Sequence, residues 1–139
     1  MFIGTFKHNL DPKNRIIMPA KFRQELGDSF FVTKGLGGCL LAMPADKWES
    51  LLNQIESRPM PEAQALQRFF CAGADEAVPN AQGRFVIPDE LRKHAGIDKE
   101  VAIVGTGKHV EIWSSEKWDE ITRASEEQDI AQLMQNITF

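Results

Sequence analysis

The first ten residues alternate. Phe2, Phe6 and Leu10 share one face of a period-two segment, with Lys7 and Asn9 on the other, which predicts a half-buried strand. Asp11-Pro12-Lys13-Asn14 then reads as a tight turn. Asp can accept backbone amides, Pro presets φ, and Asn tolerates the left-handed region. A return strand over Arg15-Ile16-Ile17-Met18 makes the expected unit a β-hairpin. Pro19 stops that strand and starts a short helix that ends at Gly27. Two further strands, Phe30 to Lys34 and Leu40 to Met43, are joined by a glycine-rich bend over residues 35–38. Helical spacing follows at Trp48, Leu51, Leu52 and Ile55, and again at Leu66, Phe69, Phe70 and Gly73, with Arg58-Pro59-Met60-Pro61 breaking between them. Ile130, Leu133, Met134 and Ile137 repeat the spacing near the C-terminus, and all three stripes are expected to face the core.

The chain is also self-similar. Residues 11–27 align without a gap on residues 80–96, with the Arg15/Arg84, Pro19/Pro88, Arg23/Arg92 and Gly27/Gly96 pairs identical and three apolar positions between each first Arg and its Pro. After one inserted residue, Gly35 and Gly37 pair with Gly105 and Gly107, and Lys47-Trp48 with Lys117-Trp118. Asn80-Ala81-Gln82-Gly83 is the second turn, Arg84-Phe85-Val86-Ile87 its return strand, and 105–107 the second glycine bend between Val101–Val104 and Val110–Trp113. The expected division is a first repeat over 5–50, a helical connector over 51–76, a second repeat over 77–120, and a C-terminal helix over 121–139. A unit of this size buries too little surface to fold alone, so the halves are expected to pair or intertwine.

Composition sets limits on function. The 139 residues are 42% hydrophobic and 26% charged, globular proportions that exclude wholesale disorder, and no apolar run approaches the roughly 20 residues that span a bilayer. The N-terminus lacks the basic and apolar regions of an export signal, and Cys39 and Cys71 form no C-x-x-C pair, which suits a cytoplasmic protein. The net charge of −4 is unevenly spread: residues 1–70 carry +2 and residues 71–139 carry −6. Within the first 23 residues Lys7, Lys13, Arg15, Lys21 and Arg23 face only Asp11. That asymmetry fits an anionic partner near the N-terminal segment, or a surface whose counter-charges come from the acidic half.

Catalytic chemistry is hard to find. His8, His94 and His109 are scattered without metal-ligand spacing, so no metal site is expected. Neither Gly35-Leu36-Gly37-Gly38 nor Gly105-Thr106-Gly107-Lys108 has the context of a nucleotide loop. Ser114 and Ser115 read as a helix cap, and Cys71, on an apolar stripe, as a buried thiol. No nucleophile has a base in view, so an enzyme is disfavoured. What stands out is a repeated turn with an arginine just past it. Arg15 offers a planar fork of donors suited to phosphate or a guanine edge, with Lys7 and Lys13 as point charges for the backbone. Alternatively Arg15 and Arg84 each bond their own turn.

The residues Met1-Phe2-Ile3-Gly4, His8-x-Leu10-Asp11-x-Lys13-x-Arg15 and Pro19-x-x-Phe22-Arg23 carry a family resemblance. So do Gly83-Arg84-x-x-Ile87-Pro88-x-x-Leu91-Arg92, Ala95-Gly96 and Glu111-Ile112-Trp113. Over nearly its whole length the chain resembles the MraZ family of bacterial transcription regulators, built of tandem SpoVT/AbrB-type domains. Asp11–Arg15 keeps the family's Asp-x-x-x-Arg motif, Asn80–Arg84 has Asn for Asp, and Asn14 stands where Gly is usual. The resemblance implies a mixed α+β fold, a swapped-hairpin β-barrel with peripheral helices. It implies a homo-oligomeric ring that binds double-stranded DNA at direct repeats upstream of the family's own cell-division and cell-wall gene cluster. A protein of that kind represses its own operon, associates with the nucleoid and needs no cofactor. Arg15, Lys13, Lys7, Lys21, Arg23 and Arg84 are the expected DNA contacts, and Asp11, Asn14, Asn80 and Gly83 the turn residues. The rival expectation is a protein-interaction scaffold of the same fold without specific DNA binding.

Overall fold

A computed structural model of the chain describes residues 1–127 and 129–139. The strands are β1 (Phe2–Asn9), β2 (Arg15–Ile17), β3 (Phe30–Lys34), β4 (Leu40–Met43), β5 (Asp75–Ala77), β6 (Arg84–Val86), β7 (Glu100–Gly107) and β8 (Val110–Ser114). The helices among the described residues are α1 (Ala20–Leu26), α2 (Ala45–Glu56), α3 (Met60–Cys71), α4 (Asp89–Ala95), α5 (Ser115–Glu127) and α6 (Ile130–Leu133).

Six strands form one antiparallel sheet in the order β1-β7-β8-β4-β3-β5, and β2 and β6 form a separate two-stranded ribbon. Both Asp11–Asn14 and Asn80–Gly83 close as turns, with Asn14 N–H donating to the Asp11 carbonyl at 2.9 Å and Gly83 N–H to the Asn80 carbonyl at 2.9 Å. The strands they join do not pair with each other, which corrects the expected hairpin. Instead β1 runs along all eight residues of β7, and β2 pairs with β6 from the other half. The reason is burial. Val101 to Val104 of β7 are buried on both faces, so β7 is an interior strand that needs a neighbour on each edge. The turn dictates only local chain reversal, not which strand the returning chain meets.

A pseudo-twofold axis relates the halves. Ile16 lies opposite Phe85 in the ribbon and Leu41 opposite Glu111 in the sheet, and each pair consists of repeat equivalents. Beyond the ribbon ladder, Met18 N–H donates to the Gly83 carbonyl at 2.9 Å and Ile87 N–H to the Asn14 carbonyl at 3.0 Å, again as mates.

The main core lies between one sheet face and the ribbon with α1 and α4. It joins Ile16 and Phe85 to Phe22, Leu91, Phe30, Val101, Ile103 and Ile112. Phe2 and Phe6 meet Phe22 edge-on, with centroids at 5.7 and 5.3 Å. On the opposite face Ala102, Val104 and Trp113 pack with Trp118 and Ile121 of α5, and Phe31 stacks on Trp48 of α2 at 5.2 Å. Ser114 caps α5, its hydroxyl accepting from Lys117 N–H at 3.2 Å.

Three further expectations need correction. The second glycine segment is not a bend: β7 continues through Gly107 and the chain reverses at Lys108–His109. Gly105 is required there by close approach, since a Cβ would run into the Phe2–Ile3 backbone of β1. Cys71 is exposed at the end of α3, Gly73 lies beyond that helix, and Ala63 is its one buried residue. The C-terminal stripe does not face the core, with Ile130, Leu133, Met134 and Ile137 between 39% and 63% exposed. Helical spacing reveals an apolar face, not the surface that covers it.

Candidate nucleic-acid interface

The ribbon has an inner and an outer face because side chains alternate. Ile16 and Phe85 point into the core, so Arg15 and Ile17 of β2 and Arg84 and Val86 of β6 project outward. Arg15 lies opposite Val86 and Ile17 opposite Arg84. The two arginines are therefore diagonal neighbours, about 7–8 Å apart at the backbone. Sixty-nine residues of sequence separate them, yet they share one surface.

Each turn positions the backbone of its arginine by the same bonds. The Asp11 carboxylate accepts from Lys13 N–H and Arg15 N–H, both at 2.9 Å, and from Arg15 Nε at 2.7 Å. Burial by itself would raise the Asp11 carboxyl. The hydrogen bonds from the Arg15 amide and guanidinium and from the Lys13 amide, with the Arg15 charge, outweigh that and hold it below its ordinary value. In the second turn the Asn80 amide oxygen accepts from Gln82 N–H at 3.0 Å and Arg84 N–H at 2.9 Å. The Arg84 guanidinium donates to Gln82 Oε1 at 2.8 Å. Asn preserves the backbone bonds of Asp and drops the ion pair, so Arg15 is tied to a carboxylate and Arg84 to a neutral amide. The last turn residues, Asn14 and Gly83, have φ of 59° and 83°. These are left-handed positions that Asn and Gly occupy at least cost.

The basic residues fall into three places. Lys13, exposed on the first turn, stands beside Arg15. Lys21 is exposed on α1, while Arg23 of the same helix lies against the second turn, where a Cβ on Gly83 would come within 2.8 Å of its guanidinium carbon. Its Nε is buried without a hydrogen-bond partner among the described residues. Lys7 is elsewhere. It sits opposite Ala102 on the α5 side of the sheet and pairs with Asp119 at 3.1 Å. Val86, 50% exposed, and Ile17 give the outer face apolar contact that charge-based reading passes over; strict alternation along Arg84-Phe85-Val86 is the signal that reveals it. Gln82, the repeat equivalent of Lys13, likewise emerges once the two turns are superposed.

Other chemistry is spoken for. Burial and the nearby Glu111 charge push the Cys39 thiol up to about 12, which leaves it inert. His94 Nε2 lies 3.1 Å from the Gly35 carbonyl, joining α4 to the bend before β4. No group of three or more metal-ligating side chains occurs among the described residues.

Comparison with known proteins gives a consistent result. A family model described as "MraZ protein, putative antitoxin-like" matches the chain twice, over residues 1–69 and 70–138. The chain is 45% identical to the transcriptional regulator MraZ of Desulforamulus reducens, over 99% of this chain and 97% of that protein. It is 46% identical to that of Clostridium beijerinckii, over 99% of both. With that of Caldanaerobacter subterraneus subsp. tengcongensis it shares 41% identity over the full length of each. These relatives are named as regulators of transcription, not as enzymes, and among the described residues no helix is long and apolar enough to cross a membrane. With two tandem matches and full-length relatives at this identity, the chain belongs to the MraZ family.

Proposed function

We propose that this protein binds double-stranded DNA through the outer face of the β2–β6 ribbon. The observation that carries the reading is the placement of Arg15 and Arg84 on one face of a ribbon built from both halves. A two-stranded ribbon fits the major groove, where arginine forks read guanine edges and apolar tips meet thymine methyls. Lys13 supplies phosphate contact beside Arg15, Lys21 flanks from α1, and Arg23 supports the second turn. Lys7, held by Asp119, adds charge rather than contact. The position of the ribbon over one sheet face supports the swapped-hairpin barrel that the family resemblance implies. Repeats over 5–50 and 77–120, with a connector over 51–76 and a C-terminal segment from 121, remain our working division.

One ribbon reads few base pairs, so useful affinity comes from several copies in one homo-oligomeric ring engaging direct repeats. The targets are repeats upstream of the protein's own cell-division and cell-wall operon, which it represses while associated with the nucleoid. The test is a mobility-shift titration on that upstream DNA with one, two or three repeats, at two salt concentrations. Affinity is expected to climb with repeat number. Arg15→Ala is expected to cost about 1–3 kcal/mol, and Arg84→Ala less, because fewer cations surround it. Lys13→Ala is expected to flatten the salt slope by about 0.9 for each phosphate that Lys13 neutralises. Undiminished binding by a folded Arg15→Ala/Arg84→Ala double variant refutes the interface, and absence of binding at every salt concentration turns the reading to a scaffold.

A further inference from the structure

The exposed apolar stripe of the C-terminal segment has a complement elsewhere on the chain. Ile130, Leu133, Met134 and Ile137 follow Glu126, Glu127 and Asp129, and no Lys or Arg occurs after Arg123. The segment is acidic, then apolar. Across the fold, a groove runs between α2, the end of α3, β4 and the β7–β8 turn. Its floor is Leu41, Met43, Leu51 and Phe70, and its rim carries Lys47 and Lys108. The cavity measures about 290 Å³ and no carboxylate lines it; a hollow of about 620 Å³ shares the same two lysines and also carries Glu25 and Asp46. Neither lysine has an ion-pair partner among the described residues.

The repeat sharpens the contrast. After α2 the chain turns back and packs α3 beside it, anchored where Thr33 Oγ1 donates to the Phe70 carbonyl at 2.5 Å. After α5, the repeat equivalent of α2, the segment carrying α6 stays exposed. We propose that this C-terminal segment of one copy docks in the α2–β4 groove of a second copy, with its apolar side chains on Leu41, Met43, Leu51 and Phe70. Glu126, Glu127 and Asp129 then meet Lys47 and Lys108. Each copy carries one tail and one groove, so the contact is head-to-tail, the kind that closes into rings. The inference rests on the homo-oligomeric reading above and names the surfaces that build it.

The experiment uses the full chain with Cys71→Ser, Ser50→Cys in the groove wall and Met134→Cys in the tail, treated with a mild oxidant. Disulfide-linked dimers and longer ladders are expected on a non-reducing gel. A disulfide closed within one monomer overturns the proposal. So does absence of cross-linking when light scattering still finds a particle several-fold above 15.7 kDa; in that case the oligomeric reading stands and only the interface falls. A wild-type monomer at micromolar concentration refutes the oligomer itself. As a second measurement, Lys47→Glu/Lys108→Glu is expected to weaken assembly at least tenfold with its circular dichroism melt preserved. Adding Glu126→Lys/Glu127→Lys/Asp129→Lys is expected to restore it, and unchanged assembly in the lysine variant overturns the proposal.

Discussion

Replacing Phe85 by alanine tests how the β2–β6 ribbon is held. Phe85 is 3% exposed, faces Ile16 across the ribbon, and meets Phe30 of the sheet edge-on with centroids 5.2 Å apart. Truncation removes a buried aromatic ring and leaves a cavity between ribbon and sheet, which costs about 3–5 kcal/mol. At about 2.1 cal/mol/K of unfolding entropy per residue, 139 residues give about 0.29 kcal/mol per kelvin. The midpoint is therefore expected to fall by about 10–17 °C. Calorimetry or a circular dichroism melt at neutral pH measures it. Val86→Ala, one residue along on the outer face and half exposed, is the control and is expected to change stability by no more than about 0.5 kcal/mol. A drop below about 3 °C for Phe85→Ala, or equal drops for both variants, refutes the assignment of an inner and an outer face.

Gly83→Ala forces a Cβ onto a φ of 83° and against the Arg23 guanidinium, so urea unfolding is expected to show a loss of at least about 1–2 kcal/mol, part of it recovered in an Arg23→Ala background. Asp11 has its folded pKa depressed; its contribution is present above the ordinary value of about 3.9 and is lost as pH falls through the folded value, so the Lys13 and Arg15 amide resonances are expected to shift in that acid range and to stop doing so in Asp11→Asn. A double-mutant cycle on the exposed Lys7–Asp119 pair is expected to give less than about 1 kcal/mol of coupling, and a larger value shows that the pair ties β1 to α5 structurally.

Local chemistry was legible in the sequence, and partnership was not. The Asp11–Asn14 and Asn80–Gly83 turns and the strands Phe30–Lys34 and Leu40–Met43 lie where residue types place them, while the break expected over Arg58-Pro59-Met60-Pro61 is shorter, with Met60 and Pro61 already in α3. Turn chemistry sets which way the chain leaves, however, and says nothing of which strand it meets. The pairing of β1 with β7 follows from the burial of β7 on both faces, a property of the assembled halves. Equal spacing of apolar residues marked the α2 stripe, whose Trp48 and Ile55 are buried, and the C-terminal stripe, which is not. On the ribbon, Arg15 was visible from its turn. The shared face with Arg84, and the departure of Lys7 to the other side of the sheet, required the ribbon register.

The pairing of β1 with β7 has a cost in time. Of the described strands Phe2–Asn9 leaves the ribosome first, and its partner ends at Gly107. At roughly 5–20 residues per second, about 5–20 s pass before that partner exists. During this interval Phe2 and Phe6 have no lasting place, and an unpaired strand edge is open to any chain beside it. On a crowded polysome the nearest such chain is a sister copy further along in synthesis, whose own β7 is already out. The wiring that puts two arginines on one ribbon therefore makes exchange of the N-terminal strand between sisters a competitor to correct folding, and slower translation lengthens the exposure.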